Sequence, residues 1–399
     1  MTVPRTKATF RPPIIAAQQW LKGVAFPADR PLINVSQAAP TAPPPGPMRA
    51  AMAKALEETS THLYGPDLGL PELRDALAGR WSGLYGGTVT ADQVGITSGC
   101  NQAFAAVIAT LCGEGDEVIL PVPWYFNHKM WLDMSGVKTV PLSTGPDLIP
   151  DPKAAAALIT PRTRAIALVS PNNPTGIEYP AEVIHGFRDL ARDAGIQLIL
   201  DETYRDFDSR TGAPHDLLAD PNWSDTVIPL YSFSKSFRLT GHRVGAVMTS
   251  AQRLEEVEKF IDAVTICPAQ LGQRAALWGL QNLTQWLAGE RAEILSRRAA
   301  IETGFPRLAR QGWRLRGVGA YFAYFEHPFA MSADELAPLL VQQAHVLALP
   351  ATMFTPPDDP SGARHLRIAF ANVDHAGITT LFDRLEALSL PLAPTGGAA

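Results

Sequence analysis

A lysine set among serines, Lys235 in Ser232-Phe233-Ser234-Lys235-Ser236, is the group with the most distinctive chemistry available to it. A desolvated lysine loses its proton near neutral pH, and the free amine forms imines with carbonyl compounds. A solvated loop lysine does neither, and that is the residue's ordinary state. Asp201 ends the apolar run Gln197-Leu198-Ile199-Leu200, where a carboxylate is costly to ionise unless it meets a cation or donors. Capping the next element would be its plainer use. In Ser170-Pro171-Asn172-Asn173-Pro174-Thr175-Gly176 two prolines bracket two asparagines, a backbone stiffened to hold out a side-chain amide. In Thr97-Ser98-Gly99-Cys100-Asn101-Gln102 a glycine precedes a helix, whose first amides point toward any anion placed there. A simple capped strand–helix turn has the same sequence. Arg367 interrupts the apolar stretch His365-Leu366-Arg367-Ile368-Ala369-Phe370. A buried guanidinium needs an anion, and its planar fork suits a carboxylate. Arg364, outside that stretch, reads as solvated.

The elements that must position these groups are legible as short apolar runs: Val94–Thr97, Glu117–Leu120, Ala165–Ser170, Gln197–Asp201, Val227–Ser232 and Val244–Thr249. Helical segments lie between them. In one, Val183, Ile184, Phe187, Leu190, Ala191 and Ala194 recur at helical spacing, and Gly195 supplies the stop. This alternation predicts an α/β fold, with a mostly parallel central sheet covered by helices on both faces. Ligands of such sheets sit beyond the carboxyl ends of the strands, where the four polar clusters fall. After about residue 280 a long charged helix, Leu283–Arg310, leads to strands at Trp313–Val318, Ala320–Glu326, Val346–Leu349 and His365–Ala371, a smaller α/β unit. The division expected is an irregular, proline-rich arm over 1–47, a large domain over 48–280 beginning with a helix at Met48–Thr59, and a small domain over 281–399. The tail after Leu390 reads as disordered.

Composition narrows the class. The 399 residues carry a formal net charge of −5, which gives nucleic acid no basic field to bind. Cys100, Cys112 and Cys267 show no metal-ligand spacing and cannot all pair. With no signal-peptide core and no spanning run, a cytoplasmic protein without membrane or metal is expected.

The order Ser-Gly-x-Asn, Pro-Asn-Asn-Pro-Thr-Gly, Asp-x-x-Tyr and Ser-x-Ser-Lys, with Arg243 eight residues after Lys235, resembles the class I/II aminotransferases. These are pyridoxal-phosphate enzymes of fold type I, the aspartate aminotransferase superfamily. The likeness runs from the arm before Tyr64 through Arg367, nearly the whole chain. It implies pyridoxal 5'-phosphate as cofactor, held as an aldimine on Lys235, with amino acid and 2-oxo acid as substrates. It further implies that Asp201 keeps the pyridine nitrogen protonated, and that Asn173 and Tyr204 donate to the ring's phenolic oxygen. Ser232, Arg243 and the amides around Gly99, Cys100 and Asn101 would hold the phosphate. Tyr125 would stack on the ring, with Trp124 as its rival, and His128 would back the aspartate. Arg367 would take the substrate's α-carboxylate, and Tyr64 would reach the site of a neighbouring subunit in a homodimer. Where many relatives carry glycine, the arm reads Ser36-Gln37-Ala38-Ala39-Pro40, so Ala38 would reshape the substrate subsite. Arg205 would read an acidic substrate group or simply pair with Asp206. Trp20 and Tyr321-Phe322-Ala323-Tyr324-Phe325 would line an apolar pocket or belong to the core.

Other chemistry is open to the same site, since a lyase, cyclase or decarboxylase would use the same lysine and aspartate. A cofactor-binding regulator is disfavoured because no basic helix-turn-helix precedes residue 48.

Overall fold

The structure is a computed structural model and describes residues 4–394. Seven strands, all but the third grown from a continuous apolar run, make the large sheet: β1 (Val94–Thr97), β2 (Glu117–Val122), β3 (Lys138–Ser143), β4 (Thr163–Val169), β5 (Gln197–Asp201), β6 (Val227–Ser232) and β7 (Gly245–Met248). They form one sheet in the order β1-β7-β6-β5-β4-β2-β3. Only β7 runs antiparallel to its neighbours. Every residue of β1, β2, β6 and β7 is buried, as strands covered on both faces must be. The register sets Thr97 and Ser232 each opposite Gly245, and Val169 opposite Asp201. One edge of the sheet therefore collects the ends of β1, β4, β5 and β6.

A second sheet is antiparallel and joins Arg314–Gly319, Phe322–Glu326, Leu349–Pro350 and His365–Ile368. Tyr324 pairs with Arg367 in it, which fixes the height of that arginine.

Several expectations need correction. The proline-rich arm is not irregular throughout. Pro13–Gln18 form a helix, with proline at the first position where its missing amide costs nothing. Ile33–Asn34 pair in parallel with Val346–Leu347. The single strand read over Val346–Leu349 is thus two short ones, serving the arm and the small sheet. The first long helix starts at Gly46 and stops at Ala55. The charged helix spans Thr284–Gly304, and Pro306 then opens a separate turn, Pro306–Ala309. β3 has no counterpart in the apolar runs because it is a half-exposed edge strand containing Pro141. The chain after Leu390 is held as far as Ala393, whose amide donates to the Pro328 carbonyl at 2.8 Å. The terminal Gly-Gly-Ala-Ala lies outside the described residues.

Candidate active site

Lys235 sits on a single helical turn, Phe233–Ser236, directly after β6. The Ser232 hydroxyl caps that turn by accepting from the Ser234 amide at 3.2 Å. The lysine reaches back over the sheet edge, and its Nζ donates to the Ala38 carbonyl at 2.6 Å. Burial, joined by the Arg243 and Arg367 guanidiniums, pushes the amine down to about 8. No carboxylate offsets this among those three causes, so a substantial fraction of the amine is neutral near physiological pH.

Asp201 ends β5 and is 2% exposed. Burial pushes its carboxyl up, but His128 and Thr203 outweigh that and leave it below the usual carboxylate range. The His128 Nε2 lies 3.3 Å from its Oδ2, and the Thr203 amide donates to its Oδ1 at 2.9 Å. His128 is itself clamped by Phe104, stacked at 3.8 Å between ring centroids. The result is an ionised carboxylate fixed in direction.

The phosphate-type cradle is built by glycine and arginine together. Gly99 has φ +87°, and a Cβ there would lie 2.2 Å from the Arg243 Nη2. Only glycine lets the guanidinium lie against the loop. The amides of Cys100 and Asn101 open the Cys100–Leu111 helix and have no intrahelical acceptor. Arg243 donates to the Thr240 carbonyl at 3.0 Å and the Ser234 hydroxyl at 3.4 Å, both neutral.

Arg367 is 2% exposed and donates to the Asn173 Oδ1 at 3.0 Å and to the Ser36 carbonyl. Its Nε has no partner among the described residues. Phe354, Phe322 and Phe126 surround the guanidinium at 4.8, 5.1 and 6.0 Å. Burial pushes it down to about 10, with Tyr204 and Tyr125 pulling the other way. Both arginines are met only by neutral oxygens, which makes each a receptor for an anion.

These groups line a single cavity of about 470 Å³. It gathers Ala38, Cys100, Asn101, Tyr125, Asn173, Asp201, Tyr204, Ser232, Lys235, Arg243 and Arg367. Gly99 and His128 lie just behind its wall. Tyr125 lines it, its hydroxyl 3.3 Å from the Asn101 Oδ1, whereas Trp124 is buried away from it. Tyr64 is 79% exposed and does not approach this chain's own cavity.

Sequence reasoning missed several groups. Thr203, Ser234 and Thr240 each follow a recognised residue within five positions, and that proximity is the one signal that could have found them. Ser36 acts through its carbonyl, and Ile14 and Ile15 reach the cavity from the arm helix. Neither contribution has a sequence signal, because a carbonyl is common to all residues and an isoleucine in an arm reads as packing.

Arg205 turns away from the cavity. It donates to the Tyr85 hydroxyl at 2.9 Å, lies 3.2 Å from Asp206 and stacks over Trp81 at 5.3 Å. Its alternative as a substrate reader is therefore not supported by position. Arg205→Met should destabilise the fold by about 3 kcal/mol, because buried acids lose their cation. Denaturant unfolding of the two proteins side by side checks this; equal midpoints would contradict it. Arg364 likewise serves the fold, donating to the His327 carbonyl at 2.7 Å. Tyr321 and Phe322 pack on Tyr204, and Tyr324 stacks on His365 in the core.

The fit to a phosphorylated, carbonyl-bearing ring follows from the donor set. Two guanidiniums without a carboxylate partner among the described residues, a neutralisable amine and one ionised carboxylate surround a space of the right order for a small cofactor and an amino acid. Comparison with known proteins agrees. The family model described as aminotransferase class I and II matches residues 30–385. An aromatic aminotransferase of Arabidopsis thaliana is 29% identical over 81% of this chain and 81% of its own length. A valine–pyruvate aminotransferase of Mycobacterium tuberculosis is 30% identical over 85% of this chain and 87% of its own. Among solved structures, an aspartate aminotransferase from Thermus thermophilus with maleate superposes with a TM-score of 0.86 at 25% identity, covering 97% of this chain and 99% of that one.

Proposed function

Because the chain belongs to the aminotransferase class I and II family, it is a pyridoxal-phosphate-dependent aminotransferase, and we propose that Lys235 carries its chemistry. Its substrates are an amino acid and a 2-oxo acid. When bound, pyridoxal phosphate supplies a carbonyl for amines and an electron-withdrawing ring. The chain's own residues do the rest. Lys235 would take and hold the proton from the donor's Cα, a task suited to an amine poised near neutral pH. Asp201, held ionised by His128 and Thr203, keeps a proton on the ring nitrogen. Asn173 and Tyr204 direct donors at the ring's phenolic oxygen. Arg243, Ser232 and the Cys100 and Asn101 amides would hold the phosphate, and Tyr125 would lie against the ring. Arg367 orients the donor by its α-carboxylate, with Ala38 closing the space beside it.

The observation that carries this reading is the Lys235 amine, desolvated and facing two guanidiniums in one cavity with Asp201. Only a neutral amine bonds to an aldehyde. Since burial lowers the pKa to about 8, cofactor-free protein should take up pyridoxal phosphate faster as pH rises, about tenfold per unit, and level off above that value. The covalent absorbance at each pH gives the rate. A rate flat from about pH 6 to about pH 9 would remove Lys235 from this role.

The family likeness supports a homodimer in which Tyr64 completes the neighbouring site, and the exposure of Tyr64 together with the adjacent Leu63 leaves that stretch open to a partner. Three unpaired cysteines support residence in the reducing cytoplasm.

A further inference from the structure

Resting on that reading of the site, we infer that the amino donor carries an apolar side chain, and that the Pro13–Gln18 helix of the arm is the element that reads it. Once Lys235, Arg243 and Arg367 are assigned, the described cavity wall holds no further cation. The rest of the lining includes Ile14, Ile15 and Phe126, together with neutral polar groups such as Gln37, Asn101, Asn127 and Thr240. A donor with a second carboxylate would have to desolvate it against isoleucine with no counter-charge from this chain, which is unfavourable. A hydrocarbon side chain gains by the same burial.

The helix is placed for this task by packing. Ala17 is fully buried in one apolar cluster with Phe126, Leu347, Leu349 and Phe354. Ile14, one helical turn earlier, lies on the same face and packs against that cluster. Ile15 is turned off that face and is 48% exposed at the cavity. Phe126 and Phe354 are also two of the rings that flank the Arg367 guanidinium. One cluster thus sets both the carboxylate anchor and the apolar wall, so their separation is fixed.

The test uses the purified holoenzyme mixed with L-leucine, L-phenylalanine or L-aspartate, following conversion of the cofactor from its aldehyde to its amine form. The apolar donors should react with second-order rate constants about 100-fold or more above that of aspartate, the scale on which a pocket rejects an ill-matched side chain. Ile15→Lys adds the missing cation at an exposed position, and the cofactor absorbance reports whether its site is intact. It should narrow the leucine-to-aspartate ratio by about tenfold or more. Ile14→Ala should slow leucine by about tenfold more than it slows aspartate. Aspartate reacting as fast as leucine in the unmodified enzyme overturns the inference, as does a ratio that neither substitution moves. If no donor of either class converts the cofactor, the reading of the site itself falls, and the inference with it.

Discussion

Lys235→Ala is expected to lower kcat by on the order of 10⁴-fold, the upper end for removal of a proton-transfer group, and to abolish the covalent visible absorbance of the protein. The size of the effect follows from the lack of a substitute. The other titratable groups at the cavity are the wrong kind. Burial above all drives Tyr204 and Tyr125 well above their ordinary values, so neither is a base at neutral pH. Asp201 is already engaged by His128 and the Thr203 amide. The two arginines stay protonated. Lys235→Arg makes the same point from the other side: it keeps a charge but cannot surrender the proton, and should be as inactive as the alanine variant. Absorption spectra of the purified proteins, with and without donor, decide it. A variant that kept the native spectrum would show that another lysine bonds the cofactor.

Arg367→Ala is expected to lower kcat/KM by about 30- to 5000-fold, the range for truncating one side of a buried charge pair, while the cofactor stays bound. The guanidinium is desolvated before any ligand arrives, with its Nε unpartnered among the described residues and three phenylalanine rings around it. A donor carboxylate therefore meets a cation that water does not shield, and the loss should appear mainly in KM. Arg367→Lys should recover little, because a point charge cannot offer two parallel N–H groups and no longer fills the aromatic box. Steady-state kinetics with a saturating acceptor separate the two parameters. A fall in kcat with KM unchanged would mean that Arg367 acts on the chemistry and not on donor binding.

Much of the large sheet was readable because a parallel strand covered on both faces is a continuous apolar run, and its end is marked by the first polar residues. That is why Asp201, Ser232 and the Gly99 turn could be named from spacing. The same rule fails at an edge. β3 is half-exposed and carries Pro141, so it presents no such run. It also fails where a short segment borrows its structure from a distant partner. Ile33–Asn34 is a strand only because Val346–Leu347 lies beside it.

The sequence alone determined the identity of the chemistry. Lysine, aspartate, asparagine and the two arginines occur in an order that few other functions require, and each side chain's reactivity belongs to its type. Tertiary structure decided what those groups are worth. The Lys235 amine gives up its proton more readily because burial removes its water and Arg243 and Arg367 converge on it. Sequence placed these three in different segments and gave no distance between them. The fold also decided which atoms close the cavity: the Ala38 and Ser36 carbonyls and the Ile14 and Ile15 side chains all come from the arm. Their role depends on where that arm lies across the sheet edge, and its course is set by long-range pairing that local sequence does not encode.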